Sequence, residues 1–277
     1  MIFVWEICLL IFNFVKKGRV EEMLEDVDQA IKWTIDHIDK YGGDKHNIYL
    51  AGQSAGAHLG LMSILRNGVS DSPTWKLSKI KGFIGISGPY DIIEMKKHFH
   101  ARGLNETIYS DIFSSPNLAI EEFSPTNFVA TYLTSSIKLP HLFFFHGTND
   151  KSCPHVSTEG IVNSLLKSKA QVSIITKYYP NKSHTDLILE DLMHDESIYD
   201  GDVVHDISQI VHEQKLNGHV EYLCSDPSLA TPPVPRRRTP SFIKQQTPDP
   251  FNSEPTHASQ TIIHSKLLAL ARFLNPF

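Results

Sequence analysis

Apolar residues near the start of the chain repeat first at helical and then at strand spacing. Between Glu21 and Lys40 they recur every three to four positions, which predicts a helix, and Gly42 and Gly43 predict its end. The run 47–50 is short and apolar, as is typical of a buried strand. A helical pattern of small and aliphatic residues follows from Ala55 to Leu65. The pattern predicts a helix, a strand, a tight turn and a second helix.

Three further runs of strand length follow, at 80–87, 142–146 and 171–179, each bounded by Gly or Pro or rich in β-branched and aromatic residues. The stretch 92–137 has short helical patterns and no clear strand. Strands that alternate with helices favour a mostly parallel sheet covered on both faces. We therefore predict an α/β fold with a helical cap insertion at about 92–137.

The composition changes after a last predicted core helix at 200–214. Seven of the sixteen prolines lie between Ala230 and Pro255, so we predict a disordered, basic linker over 215–260. Its Arg236–Arg238 run is expected to be exposed to solvent. The alternative is that it binds phosphate or acidic lipid. An amphipathic helix is predicted over 261–277; it could dock on the core, bind a partner or lie on a membrane surface. The predicted α/β core is 1–214.

The apolar N-terminal segment 1–15 is interrupted by Glu6 and is shorter than the roughly 20 residues that span a bilayer. A buried strand is the expectation, and a membrane anchor or a cleaved signal is the alternative. The 277 residues are 41% hydrophobic and 21% charged, as in a globular protein, and the net charge of −5 argues against nucleic acid as a partner. Three distant cysteines argue against a disulfide framework, and the histidines show no metal-ligand spacing.

Candidate chemistry begins with Gly52-Gln53-Ser54-Ala55-Gly56, which fits G-x-S-x-G between the predicted strand and helix. Such an elbow holds the serine in a strained conformation, and we expect side chains at Gly52 and Gly56 to clash. Ser54 is the predicted nucleophile, and the N–H of Ala55 is the predicted donor to an oxyanion.

A serine needs a base, and the base needs an acid that fixes its tautomer. Asp150 follows the strand 142–146, and His184 follows the strand 171–179, in the chain order serine, acid, histidine. We predict Asp150 as the acid and His184 as the base. Asp186 and Glu190 are weaker alternatives to Asp150.

Other polar residues near these motifs have secondary assignments. His58, one turn into the elbow helix, is expected to pack, and Asp91 is expected to cap the next helix. Contacts with substrate are predicted for a set of four residues. They are Gln53, His98, His100 and Arg102, and for the last three a solvated face of the cap is the alternative.

The chain resembles the isoprenylcysteine carboxyl methylesterases from Asn13 to His212. The resemblance rests on GGDKHNIYLAGQSAGAHLG, IKGFIGISGPYDI, HFHARGL, FSPTNF, LFFFHGTNDKSCP and NKSHTDLILEDLM. It implies an α/β-hydrolase fold, no cofactor and hydrolysis of the methyl ester of C-terminal prenylcysteine. It also implies prenylated, carboxyl-methylated proteins as partners and residence at endoplasmic reticulum and Golgi membranes, with a cytosolic location as the alternative.

The sequence departs from that family in one respect that bears on activity. The family carries a His-Gly-Gly loop that donates further N–H groups to the oxyanion, and no His-Gly-Gly occurs here. The resemblance implies that the first strands of the core are absent, as in a truncated gene model, a splice form or an inactive remnant. Two alternatives stay open: an arylformamidase or general carboxylesterase, and an inactive hydrolase that acts as an interaction module.

Overall fold

The computed structural model describes residues 18–103, 106–116, 118–189, 203–212 and 220–224, all within the unit Met1–Thr231. The described helices are α1 (Val20–His37), α2 (Ala55–Val69), α3 (Ile92–Ala101), α4 (Glu106–Ile112), α5 (Pro125–Tyr132), α6 (Val156–Lys167), α7 (Asp186–Leu189) and α8 (Val203–Val211). The described strands are β1 (Ile48–Gln53), β2 (Ile80–Ile86), β3 (His141–Gly147), β4 (Val172–Tyr179) and β5 (Val220–Cys224). Short 3₁₀ helices lie at Ile38–Tyr41, Leu77–Lys79 and Ile120–Phe123.

The five strands form one sheet in the order β1-β2-β3-β4-β5. Strands β1 to β4 run parallel, and β5 is antiparallel to β4. Parallel strands bring their carboxyl ends to the same edge of a sheet, so the segments that follow β1, β3 and β4 meet there. This edge collects the candidate catalytic residues.

The apolar runs of the central strands are buried on both faces of the sheet. Phe83 and Phe144 belong to a core shared with α1, α2, α5 and α6. Ile84 and Phe145, one position further along the same strands, belong to a second core shared with α7 and α8. Neighbouring side chains of a strand point to opposite faces, so a strand buried on both faces needs a continuous apolar run. The predicted α/β architecture is confirmed.

Single residues in the sequence also mark where several helices begin or end. The helix α1 continues into the 3₁₀ turn and stops at Gly42, whose φ of +87° suits glycine. Asp91 caps α3, as predicted, because its Oδ1 accepts a hydrogen bond of 3.0 Å from the N–H of Glu94. The predicted cap region, 92–137, contains α3, α4 and α5, and no strand is found among its described residues.

The predicted boundary of the linker was wrong in one place. The strand β5 lies inside 215–260, where Cys224 pairs with Val172 and Val220 pairs with Thr176 of β4. The Val-Glu-Tyr-Leu-Cys sequence has the length and the β-branched and aromatic residues of a strand, but the prolines that follow dominate the local composition.

The rest of that linker, the Arg236–Arg238 run, the terminal segment 261–277 and the segment 1–15 lie outside the described residues. Within the described ranges, no helix combines the length and the apolar character needed to cross a membrane.

Candidate active site

Ser54 occupies the turn between β1 and α2, with φ of +52° and ψ of −120°. A positive φ is unfavourable for serine, so the surroundings must hold it there. The Ser54 N–H donates to the Ile86 carbonyl of the neighbouring strand at 2.9 Å, and the Ser54 carbonyl accepts from the His58 N–H at 3.1 Å. The strained turn is therefore fixed on both sides and presents a half-buried serine at the sheet edge.

Of the two glycines that flank the elbow, only Gly52 is required by the described surroundings. A β-carbon at Gly52 would lie 2.4 Å from the carbonyl oxygen of Gly56, much closer than such atoms can approach. The predicted clash at Gly56 was wrong for the described residues, because outside its chain neighbours and the backbone of its own helix no atom lies within 4 Å of a β-carbon placed there.

The predicted acid and base meet on the loops after β3 and β4. Asp150 Oδ2 lies 2.7 Å from His184 Nδ1, and the side chain of Asp150 is completely buried whereas that of His184 is 15% exposed. The other carboxylate oxygen, Oδ1, accepts from the N–H groups of Ser152 and Cys153 at 2.9 and 2.8 Å. The acid is thus fixed by its own turn and aimed at one nitrogen of His184.

The two loops are also joined through their backbones. The N–H of Thr148 donates to the Tyr179 carbonyl, and that of Asn149 donates to the Lys182 carbonyl, each at 3.0 Å. A β-carbon at Gly147 would lie 2.2 Å from the Lys182 carbonyl oxygen, so only glycine allows this approach. The distance between acid and base is therefore set by backbone contacts.

Electrostatics determines the protonation of the pair. Burial raises the pKa of Asp150, but hydrogen bonds from His146 and His184 outweigh burial and hold that pKa well below its usual range. An ionised carboxylate only accepts hydrogen bonds, so Nδ1 of His184 carries a proton. In the neutral ring Nε2 then has a free lone pair, as a general base requires. Among hydrogen bonds between described residues, none joins Ser54 Oγ to His184; such contacts are often long before substrate binds.

Comparison with known proteins shows that the segment carrying Ser54 and Asp150 matches a known protein family. Residues 9–165, more than half of the 277 residues, match the family BD-FAE. The chain belongs to the BD-FAE family. The matched segment includes Ser54 and Asp150, and His184 follows it.

Curated relatives of this BD-FAE chain include isoprenylcysteine alpha-carbonyl methylesterases of plants. A probable one from Oryza sativa is 32% identical over 85% of the chain and 54% of the relative. A probable one from Arabidopsis thaliana is 35% identical over 67% and 40%, and another from the same plant, named without that qualifier, is 31% identical over 76% and 49%. The resemblance expected from the motifs is confirmed, and the chain spans about half the length of the curated relatives it matches.

Solved structures support the α/β-hydrolase fold. An inhibited esterase B from Lactobacillus rhamnosis superposes with a TM-score of 0.57 at 13% identity, over 72% of this chain and 63% of that one. A truncated carbohydrate esterase from gut microbiota gives 0.50 at 18% identity, over 70% and 68%.

The residues predicted to contact substrate make contacts within the BD-FAE chain itself. Gln53 donates from Nε2 to the His184 carbonyl at 2.8 Å, which joins the elbow to the histidine loop. His98 Nε2 and Arg102 Nη1 lie 2.9 and 2.6 Å from the Lys151 carbonyl, next to Asp150. His100 lies on the same helix, α3, with an exposed side chain. Three of these four residues therefore hold the loops that carry Asp150 and His184.

Two other candidates have structural roles. His58 is buried, and its Nε2 lies 2.7 Å from the Phe123 carbonyl, so it links α2 to the cap as a packing residue. Asp186 accepts from the Ser183 N–H at 2.6 Å at the start of α7 and is not bonded to His184 within the described part of the chain. Glu190 lies outside the described residues.

Sequence analysis missed His146, which ends the apolar run of β3. Its ring is completely buried, and Nε2 lies 3.2 Å from Asp150 Oδ2. A polar residue that ends a buried apolar run, four positions before the predicted acid, was the available signal.

Proposed function

We propose that this BD-FAE chain is a serine carboxylesterase that hydrolyses the methyl ester of C-terminal isoprenylcysteine. Ser54 is the nucleophile, His184 the base and Asp150 the acid in this proposal. The observation that carries it is the 2.7 Å bond between Asp150 and His184, on the two loops beside a serine held at φ +52°. The substrate class rests on the names of the plant relatives.

In the first half of the reaction, Ser54 Oγ attacks the ester carbonyl carbon and its proton passes to His184 Nε2. The tetrahedral intermediate collapses, the bond to the methoxy group breaks, and the His184 proton leaves with methanol. The product is an acyl-enzyme in which the substrate's carboxyl carbon is bonded to Ser54. Asp150 remains ionised throughout and stabilises the transient imidazolium.

In the second half, His184 takes a proton from water, and the hydroxide attacks the acyl carbon. The intermediate breaks the bond to Ser54, whose oxygen recovers the proton from His184. The prenylcysteine carboxylic acid is released and loses its proton to water at neutral pH. Water is the other reactant in this chemistry, so the scheme calls for no cofactor.

The oxyanion of both intermediates is assigned to the N–H of Ala55. Ala55 is the first residue of α2, so its N–H has no acceptor inside the helix and is exposed at the elbow. The N-terminal end of α2 adds a favourable partial positive charge.

Location and partners follow from the proposed substrate. A prenylated protein partitions to membranes, so an enzyme that demethylates it works at a membrane surface. We propose residence at endoplasmic reticulum and Golgi membranes, with prenylated, carboxyl-methylated proteins as partners. Fractionation of cells that express the tagged chain would test this: recovery with cytosolic markers alone contradicts it.

The decisive experiment is labelling of the full 277-residue chain with a fluorophosphonate, next to Ser54→Ala, with circular dichroism as the test of folding. Labelling that disappears in Ser54→Ala is the expected result, because the probe requires an activated serine. Hydrolysis of a prenylcysteine methyl ester is then compared with that of p-nitrophenyl esters and formylated aromatic amines.

Each alternative outcome indicates a different function for this chain. Preference for the formylated amines would replace the proposed substrate with that of an arylformamidase, and preference for p-nitrophenyl esters would indicate a general carboxylesterase. A folded chain that remains unlabelled would overturn the proposal and favour an inactive hydrolase that acts as an interaction module.

A further inference from the structure

His146 belongs to β3, and its ring contacts the turn that carries Asp150. Its Nε2 lies 2.7 Å from the Cys153 carbonyl oxygen and 3.2 Å from Asp150 Oδ2. Its Nδ1 lies 2.8 Å from Thr158 Oγ1 on α6, and both side chains are buried. Every polar atom of the ring therefore has a neighbour, and each neighbour belongs to the acid turn or to the helix behind it.

These neighbours fix the tautomer of His146. The Cys153 carbonyl and the ionised Asp150 carboxylate only accept hydrogen bonds, so Nε2 must carry the proton. Thr158 Oγ1 is the hydrogen-bond partner of Nδ1, so both ring nitrogens are bonded. A ring held in this way cannot turn without breaking a buried hydrogen bond.

The position of His146 affects both oxygens of Asp150. By holding the Cys153 carbonyl, His146 keeps the turn closed, and the closed turn aims the N–H groups of Ser152 and Cys153 at Oδ1. Its N–H also lies beside Oδ2, the oxygen that accepts from His184 Nδ1 at 2.7 Å. The His184 ring thus shares its acceptor with a second imidazole.

We propose that His146 is a positioning residue of the active site, which holds the Asp150 turn closed and shares with His184 the negative charge on Oδ2. The inference rests on the proposed function, because it takes Asp150 and His184 as acid and base. His146 does not act on the substrate. It determines how strongly and in which geometry Asp150 acts on His184.

The charged and titratable groups around the His146 ring determine how its loss should affect His184. The acid turn presents Asp150 and the Cys153 thiol, α6 presents the Thr158 hydroxyl, and Tyr178 of β4 lies opposite His146 in the sheet register. Burial, followed by the charge of Asp150, raises the pKa of the Cys153 thiol, so that group stays neutral. Loss of the His146 N–H therefore leaves more of the Asp150 charge to His184, which favours the imidazolium.

The test is an NMR titration of the His184 ring in the full chain, which does not require turnover, for His146→Leu, His146→Gln and Thr158→Val. We expect the measured titration of the His184 ring to move to higher pH in His146→Leu, because His184 then faces Asp150 Oδ2 without a second donor. A smaller change is expected in His146→Gln, whose amide keeps a donor near the position of Nε2. Thr158→Val should fall between the wild type and His146→Leu, because the ring keeps its Nε2 proton but loses one anchor.

The control is His58→Gln, which changes another buried histidine without touching Asp150. It should leave the titration of His184 where it is in the wild type. An unchanged His184 titration in folded His146→Gln, His146→Leu and Thr158→Val would overturn the inference, and so would an equal shift in His58→Gln. If the wild type reacts with fluorophosphonate, kcat in His146→Leu should fall about tenfold with KM unchanged. Failure of that labelling would overturn the proposed function but would leave the NMR result to decide the role of His146.

Discussion

Gly52 and Gly147 stand where two segments of backbone approach so closely that a β-carbon would collide with a carbonyl oxygen. At Gly52 the neighbour is the first turn of α2, and at Gly147 it is the histidine loop at Lys182. Side-chain atoms can often move out of the way of a new methyl group, whereas these backbone atoms are tied to the sheet. At the scale of residues, the site therefore depends on two positions that carry no chemistry themselves.

Gly147→Ala should separate the acid from the base. The new β-carbon would lie 2.2 Å from the Lys182 carbonyl, so the loop that carries His184 must shift. A displacement of about 1 Å can lower a rate about 100-fold, and we expect a loss of that size in kcat. Gly160→Ala, at an open position in α6, is the control and should raise the unfolding free energy by about 0.5–1 kcal/mol. Wild-type kcat in Gly147→Ala would show that the loop contact does not set the geometry.

His58 should make stability depend on pH between about 4 and 6.5. Burial lowers its pKa to about 4, against the opposing effect of the bond to the Phe123 carbonyl. The unfolded chain binds a proton below the ordinary value of about 6.5, and the folded chain binds it only near pH 4. The unfolded state therefore holds more protons in this window, and the unfolding free energy falls as the pH falls.

We expect that loss to be about 3 kcal/mol between pH 7 and pH 4, in excess of the loss shown by His58→Gln. Glutamine can donate to the same carbonyl but does not titrate. Urea unfolding of both proteins at the two pH values measures the difference. Parallel curves for the two proteins would contradict the assignment of the effect to His58.

At the scale of elements, local patterns placed β1 to β4 to within a few residues but did not show which loops touch. Long apolar runs with Gly or Pro at their ends carry the strand signal along the chain. The bonds from Gln53 to the His184 carbonyl and from Arg102 to the Lys151 carbonyl join residues 131 and 49 positions apart. Their acceptors are backbone atoms, which every residue has, so no residue type marks them. The sequence pattern did not identify His146 as a site residue, because this histidine continues the buried strand β3.

The bonds of His98 and Arg102 to the loop that carries Asp150 give a prediction for the local stability of α3. His98 and Arg102 both bond to the Lys151 carbonyl, and each bond to an exposed group contributes about 0.5–1.5 kcal/mol. The double variant His98→Ala/Arg102→Ala should therefore raise amide hydrogen exchange in α3 about tenfold, with little change in β3. Lys97→Ala, which removes an exposed pair with Glu94 on the same helix, is the control. Equal exchange in the double variant and in the wild type would show that other contacts hold the cap.

At the scale of the whole molecule, the sheet needs cover on both faces, and the second face depends on α8. Lys177 and Tyr179 of β4 both donate to Asp206 Oδ2, from Lys177 Nζ at 2.5 Å. The Asp206 side chain is 2% exposed and that of Lys177 is 13% exposed. A buried acceptor that holds α8 on the sheet thus sits at the edge of the core formed by Ile84, Phe145 and their neighbours.

Asp206→Ala should reveal how much of the fold depends on this attachment. The substitution leaves the Lys177 charge and the Tyr179 hydroxyl without their acceptor, and loss of one partner of a buried pair costs about 3–5 kcal/mol. Asp36→Ala removes the partner of Lys32 in a pair whose side chains are 45% and 48% exposed, and its effect on the unfolding free energy should be much smaller. Urea unfolding of both variants compares the same chemical change at buried and exposed sites. If the two losses are equal, α8 is held by its apolar face alone, and the second core would survive without the Asp206 contacts.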